Sequence, residues 1–97
     1  MLTQSEKRQL KSLASVEKTK YQIGKKEISA TLIDMLDKAL TARELIKIDV
    51  MKAVEDPIME IALDLSSQLK AEIVQVVGRV IVLFRRNKNN PKIKLVK

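Results

Sequence analysis

Ile73-Val74-Gln75-Val76-Val77-Gly78-Arg79-Val80-Ile81-Val82-Leu83-Phe84 is a pair of apolar runs split by a glycine-containing dipeptide. That spacing predicts a β-hairpin turning at Gly78-Arg79. The second run, Val80 to Phe84, is apolar at every position. A strand with no polar side suits the centre of a sheet covered on both faces. The remaining chain should therefore supply neighbouring strands and the helices that cover them.

Working back toward the N-terminus, Asp56-Pro57 reads as an N-cap followed by an N1 proline. A helix is expected from there to about Leu69, with Ile58, Ile61, Ala62, Leu65 and Leu69 inward. Glu44 to Met51 alternates, with Ile46, Ile48 and Val50 on one parity, which predicts a half-buried strand. Ser29 is placed to cap a helix running to about Ala42, whose stripe is Leu32, Ile33, Leu36, Ala39 and Leu40. Tyr21-Gln22-Ile23 is a short strand pattern. Thr3 and Glu6 have capping-box spacing, opening a helix from about Gln4 to Ser15 with Leu10, Leu13 and Ala14 inward. Beyond Phe84, asparagines and Pro91 break structure. The last six residues alternate lysine with apolar residues, so they either add an edge strand or fray.

The expected order is α-β-α-β-α-β-β. Helices between strands require crossovers and hence parallel members, while the hairpin adds an antiparallel pair. The predicted fold is a two-layer α/β domain with a four-stranded mixed sheet, spanning 1–97 as one unit with 86–97 as a basic tail.

Composition narrows the chemistry. The 97 residues contain no cysteine and no histidine. Disulfides, thiolate nucleophiles, His-based triads and soft-ligand zinc sites are thereby excluded within this sequence. A cysteine-free small domain suits a reducing compartment. The early residues are polar, with no apolar leader pattern and no run of membrane-span length, so a cytoplasmic protein without a membrane partner is expected. Asp34 and Asp37, three apart on a helix, are the best carboxylate pair for an acid-base or metal role. Spacing of that kind occurs commonly on solvated helix faces. Neither a catalytic role nor a cofactor or small-molecule substrate is expected.

Charge placement is more informative than the net value of +7. Residues 1–28 carry seven Lys/Arg against three Glu, 29–84 carry six against nine acidic residues, and 85–97 carry six with no acid. Such asymmetry suits a basic surface turned to a polyanion. Its centre is Gly24-Lys25-Lys26, lying between a strand end and a helix start. Glycine permits close backbone approach, lysines bring charge, and a helix N-terminus favours anions. Gly24, Lys25 and Lys26 are thus the leading phosphate contacts. Lys18, Lys20, Arg79, Arg85 and Arg86 are expected to widen the surface. Only Tyr21 and Phe84 are aromatic, too few for reading single strands by stacking. Recognition of backbone and shape in a structured RNA is the expected mode.

At Gln22-Ile23-Gly24-Lys25, Glu44-Leu45-Ile46-Lys47-Ile48 and Gln75 to Arg85, the chain resembles the bacterial YhbY-type proteins, stand-alone RNA-binding CRM domains. The resemblance runs over nearly the whole sequence. It implies the α-β-α-β-α-β-β fold, similar to the C-terminal domain of translation initiation factor 3. It also implies association with rRNA in precursors of the large ribosomal subunit. Plant relatives use the domain in organellar intron splicing. The family loop has a G-x-x-G pattern, and here it reads Gly24-Lys25-Lys26-Glu27. Glu27 replaces the second glycine, so the carry-over reaches Gly24, Lys25 and Lys26 only. The competing expectation is a protein-interaction module that docks an acidic partner through the basic tail and an edge strand.

Overall fold

In the computed structural model, residues 2–17, 20–24, 29–52, 54–87, 89 and 93 are described, Lys20 by its backbone alone. The elements are α1 (Gln4–Val16), β1 (Lys20–Ile23), α2 (Ala30–Arg43), β2 (Leu45–Val50), α3 (Ile58–Leu69), β3 (Glu72–Val77) and β4 (Val80–Phe84). The order is the expected one, and the four strands form one sheet in the order β1-β2-β4-β3. β1 pairs with β2 in parallel, through the α2 crossover. β4 is antiparallel to both of its neighbours.

The central position of β4 follows from its sequence. Ile81 and Leu83 enter one core cluster with Leu36, Leu40, Ile61 and Leu65 from α2 and α3. Val82 and Phe84 enter a second cluster with Leu10 and Ala14 of α1. All four of these β4 residues are at most 4% exposed. Complete burial of each such side chain stabilises the fold by about 1.5–3 kcal/mol, so an apolar run of this length is stable only when both sheet faces are covered. The helices therefore form two layers around the sheet, α1 on one face and α2 with α3 on the other. This corrects the expected two-layer arrangement to three layers, with the class, element order and mixed sheet as expected.

Local signals explain the helix ends. The Thr3 hydroxyl accepts from the Glu6 N–H at 3.1 Å while the Thr3 N–H donates to the Glu6 carboxylate at 2.8 Å, a complete capping box. Ser29 accepts from the Leu32 N–H at 3.1 Å. The start of α3 differs by one residue. Pro57, not Asp56, is the N-cap, with extended backbone and no side-chain cap. The Pro57 carbonyl accepts from Glu60 and Ile61 instead. The C-terminus of α1 is closed from the sheet, where Lys47 Nζ on β2 donates to the carbonyls of Ala14 (2.9 Å) and Glu17 (3.0 Å). A cation at that position adds donors to the carbonyls at the helix end and complements the helix dipole.

Glu44, at the C-cap of α2, is the one buried charged residue among those described, with no exposed area. Its backbone is in the left-handed region, φ 65°. Its carboxylate accepts the N–H groups of Asn87 (2.6 Å) and Ile93 (2.7 Å), and Ile93 packs on the α1-side cluster. The described part of the tail is thus fastened across the end of the sheet and contributes no strand.

Replacing Glu44 by alanine leaves both N–H groups without their acceptor. The expected loss is about 2 kcal/mol in urea unfolding, together with faster amide exchange at Asn87 and Ile93. Unchanged exchange at those two amides would show that the tail is held by other contacts.

Candidate nucleic-acid interface

The sequence-predicted residues fall at opposite ends of the sheet. Gly24 follows β1 at the end where β2 exits and the β3–β4 turn lies. Arg79 occupies that turn, and the two are joined through Met51. The Met51 N–H donates to the Ile23 carbonyl at 3.0 Å, and the Met51 carbonyl accepts from Arg79 Nη2 at 2.7 Å. Lys25 and Lys26 come next in the chain after Gly24 and lie outside the described residues, as does Lys18. The N-terminus of α2, with its positive dipole end, opens at Ser29 a few residues on.

Gly24 does not have a left-handed backbone. A Cβ there would meet only the Met51 sulfur, at an ordinary 3.8 Å. The glycine whose conformation requires it is Gly78, at φ 57°. The backbone of Gly24 is thus outside the region that L side chains rarely adopt, and a Cβ has room there.

Arg79 is anchored inward. Its Nε donates to the Val50 carbonyl at 2.9 Å, and Nη2 donates to Met51 and also to Val54 at 3.0 Å. Its own carbonyl accepts the Val50 N–H at 2.8 Å. The guanidinium ties the hairpin turn to the strand exit of β2 and the segment after it. Arg85 does the same at the other end. Nη1 donates to the Asp37 carboxylate at 2.7 Å and to the Leu69 carbonyl at 2.9 Å. Nη2 donates to the Asp37 carbonyl and the Thr41 hydroxyl, both at 2.9 Å. Arg85 thus clamps the C-terminal turns of α2 and α3. Both residues were expected to widen the basic surface. Their bonds to backbone carbonyls at strand and helix ends hold each guanidinium against the fold, where it is a local source of positive potential. Arg86, the next residue, is exposed.

Arg79 and Arg85 are six residues apart along β4, roughly 20 Å. The backbone of Lys20 pairs with Lys47 in the tail-side half of the sheet. One basic region therefore lies at the turn end, with Gly24 and Arg79, and another at the tail end, with Arg85 and Arg86. The exposed side of α1 adds Arg8 and Lys11.

The expected carboxylate pair is occupied elsewhere. Asp34 pairs with Lys38 at 3.2 Å on the exposed face of α2, and Asp37 pairs with Arg85 at 2.7 Å. Among the described residues no group of three or more acidic side chains is placed to hold a metal ion. No helix among them is long and apolar enough to cross a membrane. Phe84 is buried at 3% exposure, and Tyr21 packs against the α2/α3-side core. Neither ring stands on an open sheet face.

One polar residue escaped the sequence reading. The register of β3 shifts between Ile73 and Gln75. Simple alternation from Ile73 would send Gln75 into the α2/α3-side core. The bulge turns it onto the α1-side face, opposite Val82. The doublets Ile73-Val74 and Val76-Val77 around a single polar residue were the available signal.

A mixed four-stranded sheet with helices on both faces and basic residues at both ends defines a small α/β domain. The chain belongs to the CRS1/YhbY (CRM) domain family, whose model matches residues 2–85. It is 36% identical to the Bacillus subtilis protein named Probable RNA-binding protein YqeI, over 98% of this chain and 99% of that one. It is 42% identical to the Methanocaldococcus jannaschii Probable RNA-binding protein MJ0652, over 87% of this chain and 63% of that one. The solution structure of SAV1595 from Staphylococcus aureus superposes with a TM-score of 0.81 at 42% identity, covering 99% of this chain and 100% of that one.

The two kinds of arginine separate by measurement. Arg79→Ala removes donors from three carbonyls and should cost about 1.5–3 kcal/mol in urea unfolding. Arg86→Ala should stay within about 0.5 kcal/mol of the parent protein. Equal effects of the two substitutions would refute the clamp assigned to Arg79.

Proposed function

We propose that this protein binds structured RNA by its phosphate backbone, as a non-catalytic cytoplasmic factor acting on rRNA in precursors of the large ribosomal subunit. The observation that carries this reading is the Ile23–Met51–Arg79 linkage. It fixes the start of the Gly24-Lys25-Lys26 stretch to the rigid end of the sheet, beside a cationic turn and ahead of the α2 N-terminus. Membership of the CRM family and the RNA-binding names of the relatives supply the polyanion.

In this reading Lys25 and Lys26 contact phosphate, and Gly24 leaves room at the strand end. Lys18, Lys20 and Arg86 extend the basic surface. Arg79 and Arg85 contribute charge while holding the elements in place. Phosphate contacts of this kind give affinity that falls linearly with the logarithm of salt. Docking of an acidic protein through the tail finds less support, because Glu44 already holds the tail at Asn87 and Ile93.

Reversing both loop charges, Lys25→Glu with Lys26→Glu, should abolish rRNA binding at physiological salt and leave urea unfolding unchanged within about 0.5 kcal/mol. Filter binding across a salt series checks this, and full affinity in the double variant at low salt would remove the loop from the interface. In cells, crosslinking followed by sequencing of attached RNA should enrich large-subunit rRNA. Recovery in proportion to RNA abundance would refute the ribosomal assignment.

A further inference from the structure

The α1-side face of the sheet is only partly covered. α1 lies over Leu45, Val74, Val82 and Phe84, toward the tail end. Beside it, on the open half, runs a groove of about 310 Å³. Its walls are Lys11, Ala14 and Ser15 of α1, and its floor is Lys47, Gln75, Val77, Val80 and Val82. That volume is at the small end of the range of about 300–1,000 Å³ for small-molecule pockets.

Three properties of the floor set its chemistry. First, it is apolar where water reaches it: Val77 is 55% exposed and Val80 is half-buried. Second, Gln75 stands among these valines, half-buried, and its amide makes no hydrogen bond with any described residue. A free amide in apolar surroundings offers paired donors and an acceptor at a real desolvation cost. The β3 bulge puts it there. Third, the lining is cationic, with two lysines and no carboxylate. Lys47 is engaged with the end of α1, while Lys11 is exposed and has no partner among the described residues. Asp49 shares this face opposite Val80, on the β2 side. Its charge disfavours a phosphate there and leaves the Lys11 wall as the anionic side.

We propose that this groove receives one unpaired nucleotide of the bound RNA. The base lies flat on Val77, Val80 and Val82, its polar edge meets the Gln75 amide, and its phosphate lies beside Lys11. This inference rests on the RNA-binding reading and adds a base reader to it. Phosphate contacts position a nucleic acid but carry no sequence information. With Phe84 buried and Tyr21 half-buried against the α2/α3-side core, an aliphatic floor with one amide is a described surface able to distinguish bases. A glutamine can pair bidentately with a base edge.

The test uses four RNA hairpins that share one stem and differ in a loop of a single base type, with a fully paired duplex of equal phosphate number. Wild-type protein should prefer one loop by about fivefold or more over the weakest. Gln75→Ala and Val77→Glu should each shrink that preference to within about twofold. Gln75→Ala should leave duplex affinity and its salt dependence unchanged. A loop preference that survives both substitutions, or a wild-type protein with no loop preference, overturns the nucleotide site. If Lys25→Glu with Lys26→Glu abolishes binding while Gln75→Ala changes nothing, the groove is excluded and the RNA-binding reading stands. Failure of wild-type protein to bind any of the five RNAs overturns that reading and the nucleotide site with it.

Discussion

The whole arrangement depends on β4 being apolar on both sides, with Ile81 to Phe84 buried. It is paired along both edges, to β2 and to β3, and its alternate residues enter two different cores. A strand in that position needs cover above and below, and this requirement recruits α1 to one face and α2 with α3 to the other. β2 shows the same demand in weaker form. Ile46, Ile48 and Val50 are buried against α2 and α3, whereas its other face holds Leu45 under α1 and then Lys47 and Asp49, where α1 gives out. The end of α1's cover is therefore written into the polarity of β2.

The two arginines that flank β4 illustrate how basic residues can serve the fold as well as a basic surface. Arg79 and Arg85 each lie next to several backbone carbonyls at strand and helix ends. A guanidinium presents a rigid fork of donors, so it satisfies several such carbonyls at once. Arg79 serves three, and Arg85 spans α2 and α3. Charge counting places both on a basic surface, and hydrogen-bond geometry shows that several of their donors also serve the fold. The charge remains at each end and adds to the positive potential there.

Much of the fold could be read directly in the residues. The capping box at Thr3 and Glu6, the helical stripe through Leu36, Ala39 and Leu40, and the hairpin at Gly78-Arg79 all depend on near neighbours, and each is where its pattern placed it. What could not be read depends on partners far along the chain. Lys47 closes a helix more than thirty residues away, and Glu44 holds a tail more than forty away. No local pattern distinguishes these from solvated charges. The layer count failed for a related reason: α1 has a narrow stripe, and only the second apolar parity of β4 shows that it needs a face of its own. Of the candidate site, the position of Gly24 at a strand end was legible, whereas the anchoring of Arg79 and Arg85 depends on carbonyls distant in the chain.

Gln75 shows the limit of parity most clearly, and it also shows what a register shift is worth. In an unbroken β3 this glutamine would face Leu83's side of the sheet and lie unpaired in an apolar core, at a cost of about 1–3 kcal/mol. One extra residue, Val74, removes that cost by filling the α1-side core itself, at 5% exposure. The shift leaves the amide on a part of that face that opens into the groove beside α1. A valine at position 75 would have satisfied burial on either face without any bulge. The polar residue and the irregular register thus require each other. What the pair achieves is a free amide at the floor of a cationic groove, a placement that packing alone does not call for.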